Sequence, residues 1–193
     1  MISQEEIKRI KNLKGLARGQ TIINALEAIL VMEGKEGLKR LEEKLKEIGS
    51  WVQEYNDFPK NIKTFEWYPL WYDILPIVVA ADLFNWNEEK IRQFGVYNQK
   101  VSFFEKVFLK YFITIKIAAK AVSGRWRRHY SLGEFEATEI NEKEKRVVLT
   151  LNDFPVHPVF CRLLEGYIQS AAVPILATEE IKCREIKCNF RGD

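Results

Sequence analysis

Residues 146–193 read RVVLTLNDFPVHPVFCRLLEGYIQSAAVPILATEEIKCREIKCNFRGD, and this stretch decides the predicted fold. Apolar residues occupy alternate positions over 147–151, the spacing typical of a strand. A helix is predicted to open at Pro158, because apolar residues then recur at three- and four-residue intervals. The stretch therefore predicts strand, helix, strand. The second predicted strand contains Ile181, Ile186 and Phe190.

The residues before this stretch are predicted to be mainly helical over 1–124. Their apolar residues recur at the spacing of helices with one buried face. Pro76 lies inside one of these helices and should kink it, because proline cannot donate a backbone hydrogen bond. Glycines are predicted to end most of the helices. The predicted helices cover 3–14, 22–30, 38–48, a segment from Pro69, 87–94 and 103–122, with ends at Gly15, Gly34, Gly49, Gly95 and Gly124.

Two further segments complete the predicted organisation. Residues 50–67 lack periodicity and are predicted to form a loop. Residues 130–140 are predicted to form a strand that turns back into the next one as a hairpin. We therefore predict a single α+β domain over 1–193, with the sheet and one helix in 125–193. An N-terminal helical layer would pack on a C-terminal antiparallel sheet, with a helix inserted between strands.

Composition and charge exclude several classes of partner. The chain has 30 Lys and Arg against 27 Asp and Glu, for a net charge of +3. This balance predicts no binding to nucleic acid. The most apolar run, 70–84, is shorter than the ~20 apolar residues of a membrane helix, so we predict no membrane insertion. Three cysteines, an odd number, favour reduced thiols and a cytoplasmic protein.

Aromatic side chains provide the candidate ligand site. The 103–122 helix has a wide aromatic face, which is usually core but is broad enough here to line a cleft between helices and sheet. The segment 125–130 interleaves cations with aromatics. The favoured role of its cations is to interact with the negative end of the preceding helix's dipole. The alternative is that they bind an anionic or aromatic ligand. The candidate ligand-binding residues are Trp71, Phe104, Phe108, Tyr111, Trp126 and Tyr130.

A metal site and a catalytic site are both weakly indicated. His157 and Cys161 lie four residues apart at a helix start, a spacing that suits two ligands of one metal. Cys183 and Cys188 would face opposite sides of a strand, and a free cysteine is often buried as a small hydrophobe. We therefore predict no resident metal, with His157 and Cys161 as the weak candidates. The sequence has no phosphate loop, nucleophile elbow or His-Glu-x-x-His motif.

Two phrases resemble the 4-vinyl reductase domain family, which belongs with Golgi transport-particle subunits and haem nitric-oxide-binding domains. In that family, a helix containing a Cys and a later Gly precedes a strand that reads Glu-x-x-Cys, three residues, Gly-Asp. The phrases here are FCRLLEGY at 160–167 and EIKCNFRGD at 185–193, and the resemblance extends over 125–193. The matching residues are Cys161, Gly166, Glu185, Cys188, Gly192 and Asp193.

The resemblance implies a helical layer over an antiparallel sheet that encloses an apolar pocket for a small molecule or acyl group, often in a dimer. Haem is not expected, because the Tyr-x-Ser-x-Arg motif of the haem-binding relatives is missing and His129 and His157 both lie near the sheet. No other cofactor is predicted.

We therefore expect a non-catalytic sensor domain that binds a small hydrophobic ligand and forms a homodimer. A protein-interaction scaffold like the transport-particle subunits is the first alternative. A reductase or metal-dependent enzyme is the second.

Overall fold

The computed structural model describes residues 2–49, 62–101, 115–176, 178 and 180–192. In chain order its elements are α1 (Gln4–Lys11), β1 (Leu16–Arg18), α2 (Gly19–Gly49), β2 (Trp67–Pro69), α3 (Trp71–Leu83), α4 (Glu88–Val101), α5 (Ile115–His129), β3 (Glu134–Asn141), β4 (Arg146–Asn152), α6 (Val159–Leu176) and a 3-10 turn (Asn189–Arg191). The α+β class is confirmed by the helices and two antiparallel strand pairs.

The N-terminal helices follow the predicted pattern closely. Ser3 caps α1, since its Oγ accepts a 3.1 Å hydrogen bond from the Glu6 backbone N–H. Ile7 and Ile10 are buried on the face that contacts α3. Gly34 has φ 71° and interrupts α2, so this element is two helices joined at the residue predicted to end the first. Only glycine adopts such a conformation at low cost.

A short strand pair was not predicted, and one of its residues, Trp67, lies in the predicted loop. Arg18 pairs with Trp67 and Leu16 with Pro69 in the antiparallel ladder of β1 and β2. The Arg18 guanidinium lies 3.9 Å from the centroid of the Trp67 ring. The prediction that Trp67 lies in a loop is therefore wrong, because a three-residue strand is too short to leave a periodic pattern. Residues 50–61 of that predicted loop lie outside the described residues.

Gly95 was predicted to end a helix, but it lies inside α4. A Cβ at Gly95 would collide with the Leu163 carbonyl, and a Cβ at Gly166 would collide with the Arg92 carbonyl. The two helices α4 and α6 therefore cross with their backbones in direct contact. Absence of a side chain at both positions allows this approach, which explains a glycine within a helix despite its cost of about 1 kcal/mol.

Gly124 likewise does not stop its helix, which continues to His129. The segment 125–130, predicted to be a junction, is mostly the last turn of α5. Trp126 fixes this turn to the sheet side, because its Nε1–H donates a 2.9 Å hydrogen bond to the Leu132 carbonyl and its ring lies 4.9 Å from that of Phe154. The exposed Gly124 meets no neighbour, so its helical cost is outweighed by the packing around Trp126.

The predicted hairpin is confirmed as β3 and β4, which pair antiparallel from Glu134–Asn152 to Asn141–Arg146. The helix predicted to open at Pro158 is also confirmed as α6. The strand predicted through Ile181, Ile186 and Phe190 is wrong: residues 178 and 180–192 contain no strand. Helix α6 is therefore not inserted between strands.

The segment after α6 is held by side chains instead of a strand ladder. The Glu185 backbone N–H donates a 2.6 Å hydrogen bond to Oε1 of Glu165 on α6. Arg191 then forms a 3.0 Å ion pair with the Glu185 carboxylate and lies in the 3-10 turn. These bonds connect the segment to α6 and to itself. Its backbone therefore does not pair as a strand, although its apolar residues alternate.

By length and composition, Val159–Leu176 could cross a membrane. The same properties occur in core helices of soluble proteins, so they are weak evidence. In the structure this helix carries Arg162 and the buried Glu165, which bond to each other at 2.8 Å, and it packs against α4. The absence of membrane insertion stays a prediction.

Candidate functional site

A cavity of about 220 Å³ lies where the helical half of the chain meets the hairpin. Helices α5 and α6 and strands β3 and β4 supply most of its wall, and α2, α3 and α4 each contribute a smaller part. The wall is largely apolar because the inward faces of these elements carry aliphatic residues. Its aliphatic side chains include Ala118, Val122, Val147, Leu149, Leu164, Ile168 and Ile175.

Several polar residues interrupt the apolar wall, and three of them belong to different helices. Arg125 comes from α5, Asn98 from α4 and Tyr167 from α6. Burial lowers the pKa of the Arg125 guanidinium, and the Arg125 charge in turn opposes the rise that burial causes in the pKa of Tyr167. These two residues therefore interact electrostatically across the cavity wall. Asn98 is 7% exposed.

A second polar group in the wall consists of Thr21, His129 and Tyr130, with Asp73 bonded to Tyr130. The Tyr130 hydroxyl donates a 2.8 Å hydrogen bond to Oδ2 of Asp73, and Thr21 Oγ1 lies 3.2 Å from His129 Nδ1. Burial raises the pKa of Asp73 to about 7 and lowers the pKa of His129 to about 4. Asp73 Oδ1 is buried and makes no hydrogen bond to the residues that the structure describes.

The protonation of His129 limits what this site can do chemically. With a pKa of about 4, its imidazole is neutral near pH 7 and is a weak base. A general base works best when its pKa lies near the working pH. The Thr21–His129 contact therefore resembles a hydroxyl and a base in arrangement but lacks the basicity that nucleophilic catalysis requires.

The structure places the predicted ligand-binding residues in different surroundings. Trp126 and Tyr130 line the cavity. Trp71 is 3% exposed, packs 4.2 Å from Tyr72 and is not among the described residues of the cavity wall. Phe104, Phe108 and Tyr111 lie outside the residues that the structure describes.

Of the polar cavity residues, Tyr130 was predicted, Arg125 was considered as an alternative, and the others were not predicted. Arg125 belongs to the segment for which an anionic ligand was considered, although its favoured role was to answer the helix dipole. Asn98 follows a glycine that was predicted to end a helix, so its place on the inward face of α4 was hidden. Tyr167 was assigned to the apolar stripe of α6. A signal for it existed in that stripe, since a tyrosine combines an apolar ring with a polar tip.

A thiol cluster lies outside the cavity. Cys161 Sγ is 3.6 Å from Cys188 Sγ, and these two sulfurs and a Glu185 carboxylate oxygen lie within 4.8 Å of one another. Burial and the neighbouring Glu185 raise the pKa of the Cys161 thiol. The predicted partner His157 lies elsewhere: its Nε2 is 2.9 Å from Glu6 Oε1, so the structure does not bring it to Cys161 as a ligand pair.

The donor set of this cluster suits a zinc ion. Two sulfurs each about 2.3 Å from a tetrahedral zinc would be separated by roughly 3.8 Å, close to the spacing of Cys161 and Cys188. Glu185 offers a carboxylate as a third ligand, and a structural zinc site needs a fourth. The cluster joins the start of α6 to the segment that follows it, so a metal here would fasten these two parts of the chain.

An ion-pair network borders the thiol cluster, and we call it the paired region: Arg92, Arg162, Glu165, Glu185 and Arg191. Glu165 is 4% exposed and accepts bonds from Arg92 Nε at 2.7 Å and Arg162 Nη1 at 2.8 Å. These cations and the Glu185 N–H lower the pKa of Glu165 against the opposing effect of burial. Each member of the paired region therefore has an ion-pair partner within it, and Arg92 and Arg162 also pair with Glu89 and Glu88 on α4.

Comparison of the chain with protein-family models, with curated proteins and with solved structures finds no match. Function is therefore inferred from the chemistry of the cavity and of the thiol cluster.

Proposed function

We propose that this protein binds a small apolar or acyl-type molecule in the cavity and acts as a non-catalytic sensor domain. The single observation that supports the proposal most is the cavity of about 220 Å³ with a mainly aliphatic wall. An apolar protein cavity of about 150 Å³ is large enough to bind benzene. Drug-sized molecules occupy pockets of about 300–1,000 Å³, so the ligand is expected to be smaller than these.

The protonation of His129 supports binding over catalysis. Its pKa of about 4 leaves the Thr21 hydroxyl beside a weak base. The sequence also contains none of the catalytic motifs considered above. A ligand that enters the cavity would contact both α5 and the hairpin, so its binding free energy would stabilise their packing. This coupling is the physical basis of the proposed sensing.

The family resemblance remains part of the proposal. The proposal of membership in the 4-vinyl reductase domain family is supported by three motif residues: Cys161 is distant in sequence from Glu185 and Cys188 and adjacent to them in the fold. We also propose a cytoplasmic homodimer, as expected from the cysteines and from the resemblance. Analytical ultracentrifugation of the purified chain tests the dimer, and a monomer at all concentrations would contradict it.

Two variants on the same helix test the cavity. Ala119→Leu places a larger side chain in the cavity wall, whereas Lys120→Leu adds the same side chain at an exposed position of α5. Native mass spectrometry of freshly purified protein should detect a bound small molecule in the wild type and in Lys120→Leu. The bound fraction should fall in Ala119→Leu. Equal occupancy in all three proteins, or none in any of them, would contradict the proposal.

A further inference from the structure

The outer face of the β1–β2 ladder presents apolar side chains to solvent. Side chains two apart on a strand share a face, so Leu16 and Arg18 of β1 lie on the same side. The antiparallel register adds their partners in β2, which are Pro69 and Trp67. On this outer face Leu16 is 40% exposed and Trp67 is 37% exposed, whereas Ala17, on the inner face, is 0% exposed. Single apolar side chains at a surface are ordinary, but a group of them marks an interaction surface.

Arg18 is fixed on this face by three contacts. Its guanidinium lies 3.9 Å from the centroid of the Trp67 ring. Its Nη1–H donates a 2.7 Å hydrogen bond to the Phe65 carbonyl, and its Nε–H donates one of 3.3 Å to the Arg128 carbonyl. A flexible arginine loses rotamer freedom when it binds a partner, and this loss opposes binding. Because Arg18 is already ordered, less of that cost remains.

The contacts of Arg18 do not include a carboxylate from the described residues. Its two hydrogen bonds use two of the five guanidinium N–H groups, and their acceptors are neutral carbonyls. Glu66, next to Trp67 in β2, pairs instead with Lys63 at 2.9 Å. The remaining N–H groups belong to a planar fork, which suits a carboxylate because two parallel bonds can form.

The surroundings of Arg18 favour a protein segment as the source of this carboxylate. Aromatic residues and arginine are enriched in the cores of protein interfaces, and tryptophan and arginine dominate their binding energy. A free anion would leave Leu16 and Trp67 uncovered. A lipid surface is contacted by extended basic side chains, whereas Arg18 is half-buried and lies against Trp67.

We propose that the outer face of the β1–β2 ladder docks an acidic segment of a partner protein. One carboxylate of the segment bonds to Arg18, and apolar side chains beside it pack on Leu16, Trp67 and Phe65, which is 70% exposed. This inference goes beyond the proposed ligand binding and does not depend on it, because β1 and β2 supply no residue to the described cavity wall.

Two capped tripeptides that differ in one charge are the probes: acetyl-Leu-Glu-Phe-amide and acetyl-Leu-Gln-Phe-amide. They are titrated into the isotope-labelled full chain, and the indole N–H signals are followed by NMR, with Trp67→Phe identifying the signal of Trp67. The acidic peptide should shift this signal and bind about tenfold more tightly than the neutral one, as expected for a hydrogen bond to a charged group. The signal of Trp126 in the cavity wall should not move.

Three variants assign the preference to this face. Arg18→Gln should remove the preference for the acidic peptide. Arg40→Gln is the matched control, because the Arg40 guanidinium also lies over a ring, 5.4 Å from the centroid of Phe84, and it should bind both peptides like the wild type. Phe65→Ser should weaken both peptides by a similar factor, since it removes apolar contact surface and no charge.

Salt gives a test that needs no variant. Raising NaCl from ~0.05 M to ~0.5 M should weaken the acidic peptide several-fold and leave the neutral one nearly unchanged, because salt screens a partly exposed ion pair. A Trp126 indole signal at its wild-type position shows that Arg18→Gln is folded.

Equal affinities for the two peptides, no shift of the Trp67 signal, or a preference that Arg18→Gln retains would each overturn the proposal. It would also be overturned if vesicles of phosphatidylcholine with phosphatidylserine shifted the Trp67 signal and the acidic peptide did not, since the face would then belong to a lipid surface. Each of these results leaves the cavity and its ligand untouched, because the cavity is tested through Ala119→Leu.

Discussion

Helix α6 separates two regions that treat charge in opposite ways. In the paired region, the buried Glu165 has two arginines and a backbone N–H as partners. Across the helix, the cavity has Arg125 and the donors Asn98 and Tyr167, with no carboxylate in its described wall. Both regions remove polar groups from water, and in the paired region the carboxylates and guanidinium groups bond to each other.

Pairing within the chain distinguishes a structural polar cluster from a ligand-binding one. A buried charge that is fully paired stabilises one arrangement of the chain and leaves little for a ligand to gain. A cavity with an unfilled apolar wall retains contact surface for a ligand. The paired region should therefore respond to mutation through stability, and the cavity through ligand affinity.

The largest effect is expected for Glu165→Ala. This change removes the shortest ion pairs of Arg92 and Arg162, which keep only the longer contacts to Glu89 and Glu88 and to Glu185, and it leaves the Glu185 N–H without its acceptor. We expect the free energy of unfolding to fall by about 3–5 kcal/mol, as when one partner of a buried ion pair is removed. Urea denaturation measures it. Glu136→Ala, at an exposed position of β3, is the control and should change stability by less than about 0.5 kcal/mol.

Two leucines compare the packed core with the cavity wall. Leu75 on α3 is 0% exposed and is not among the described residues of the cavity wall, whereas Leu164 borders the cavity. Leu75→Ala should cost about 2–5 kcal/mol, because it leaves a void in a packed core. Leu164→Ala should cost less than about 2 kcal/mol, because its side chain already borders unfilled space. Equal losses in chemical denaturation would show that the cavity is packed as tightly as the core.

Glycine replacements test the helix crossing. Gly166→Ala should lower stability by about 1–3 kcal/mol, because its Cβ collides with the backbone of α4, which cannot rotate away. Gly124→Ala is the opposite case, since nothing lies near its Cβ. It should raise stability by up to about 1 kcal/mol through helix propensity. A stable Gly166→Ala protein, judged by its thermal midpoint, would mean that α4 and α6 are farther apart.

The smallest effect is expected for zinc at the thiol cluster beside the paired region. Zinc must displace the protons of Cys161 and Cys188, and burial raises the pKa of the first. We expect one equivalent of zinc to raise the melting temperature by about 2–4 °C, or ~1 kcal/mol. Cys188→Ser should abolish the shift. Cys183→Ser should retain it, because Cys183 is not part of the cluster.

The sequence predicted the elements whose periodicity is long and regular. The hairpin and α6 were recognised because both show many repeats of their own period. Gly95 was misread because a glycine in a helical pattern signals either a helix end or a close helix crossing, and only the position of α6 decides between them. The strand predicted after α6 was wrong because the Glu185 N–H donates its hydrogen bond to Glu165, twenty residues earlier, and not to a neighbouring strand.

The candidate site was less predictable than the fold. Trp126 and Tyr130 were named for aromaticity and do line the cavity. Asn98 was missed because an amide gives no periodic signal. The pairing of Cys161 with Cys188 joins residues 27 apart through tertiary contact. It could not be derived from spacing, which had favoured His157 as the partner of Cys161.

Asp73 has a consequence for the folding reaction itself. Between about pH 4 and 6.5, the unfolded chain carries an ionised Asp73 and a protonated His129, whereas the folded chain buries both as neutral groups. Folding in this window therefore removes a proton from the imidazole and adds one to the carboxyl. As pH rises, the His129 contribution raises stability and the Asp73 contribution lowers it by a similar amount, so stability changes little with pH. Above about pH 6.5 the effect of His129 is complete, and stability falls until the pH exceeds the folded pKa of Asp73, about 7.

Calorimetric unfolding at about pH 5.5, in two buffers that differ in ionisation enthalpy, counts these protons. Asp73→Asn removes the carboxyl and keeps an acceptor for the Tyr130 hydroxyl. It should change the number of protons exchanged on unfolding by one, and an unchanged number would mean that Asp73 is ionised in the folded protein. The hydrophobic core thus buries Asp73 and His129 as two neutral groups and not as a charge pair. The Asp73 carboxyl enters the core in its protonated form.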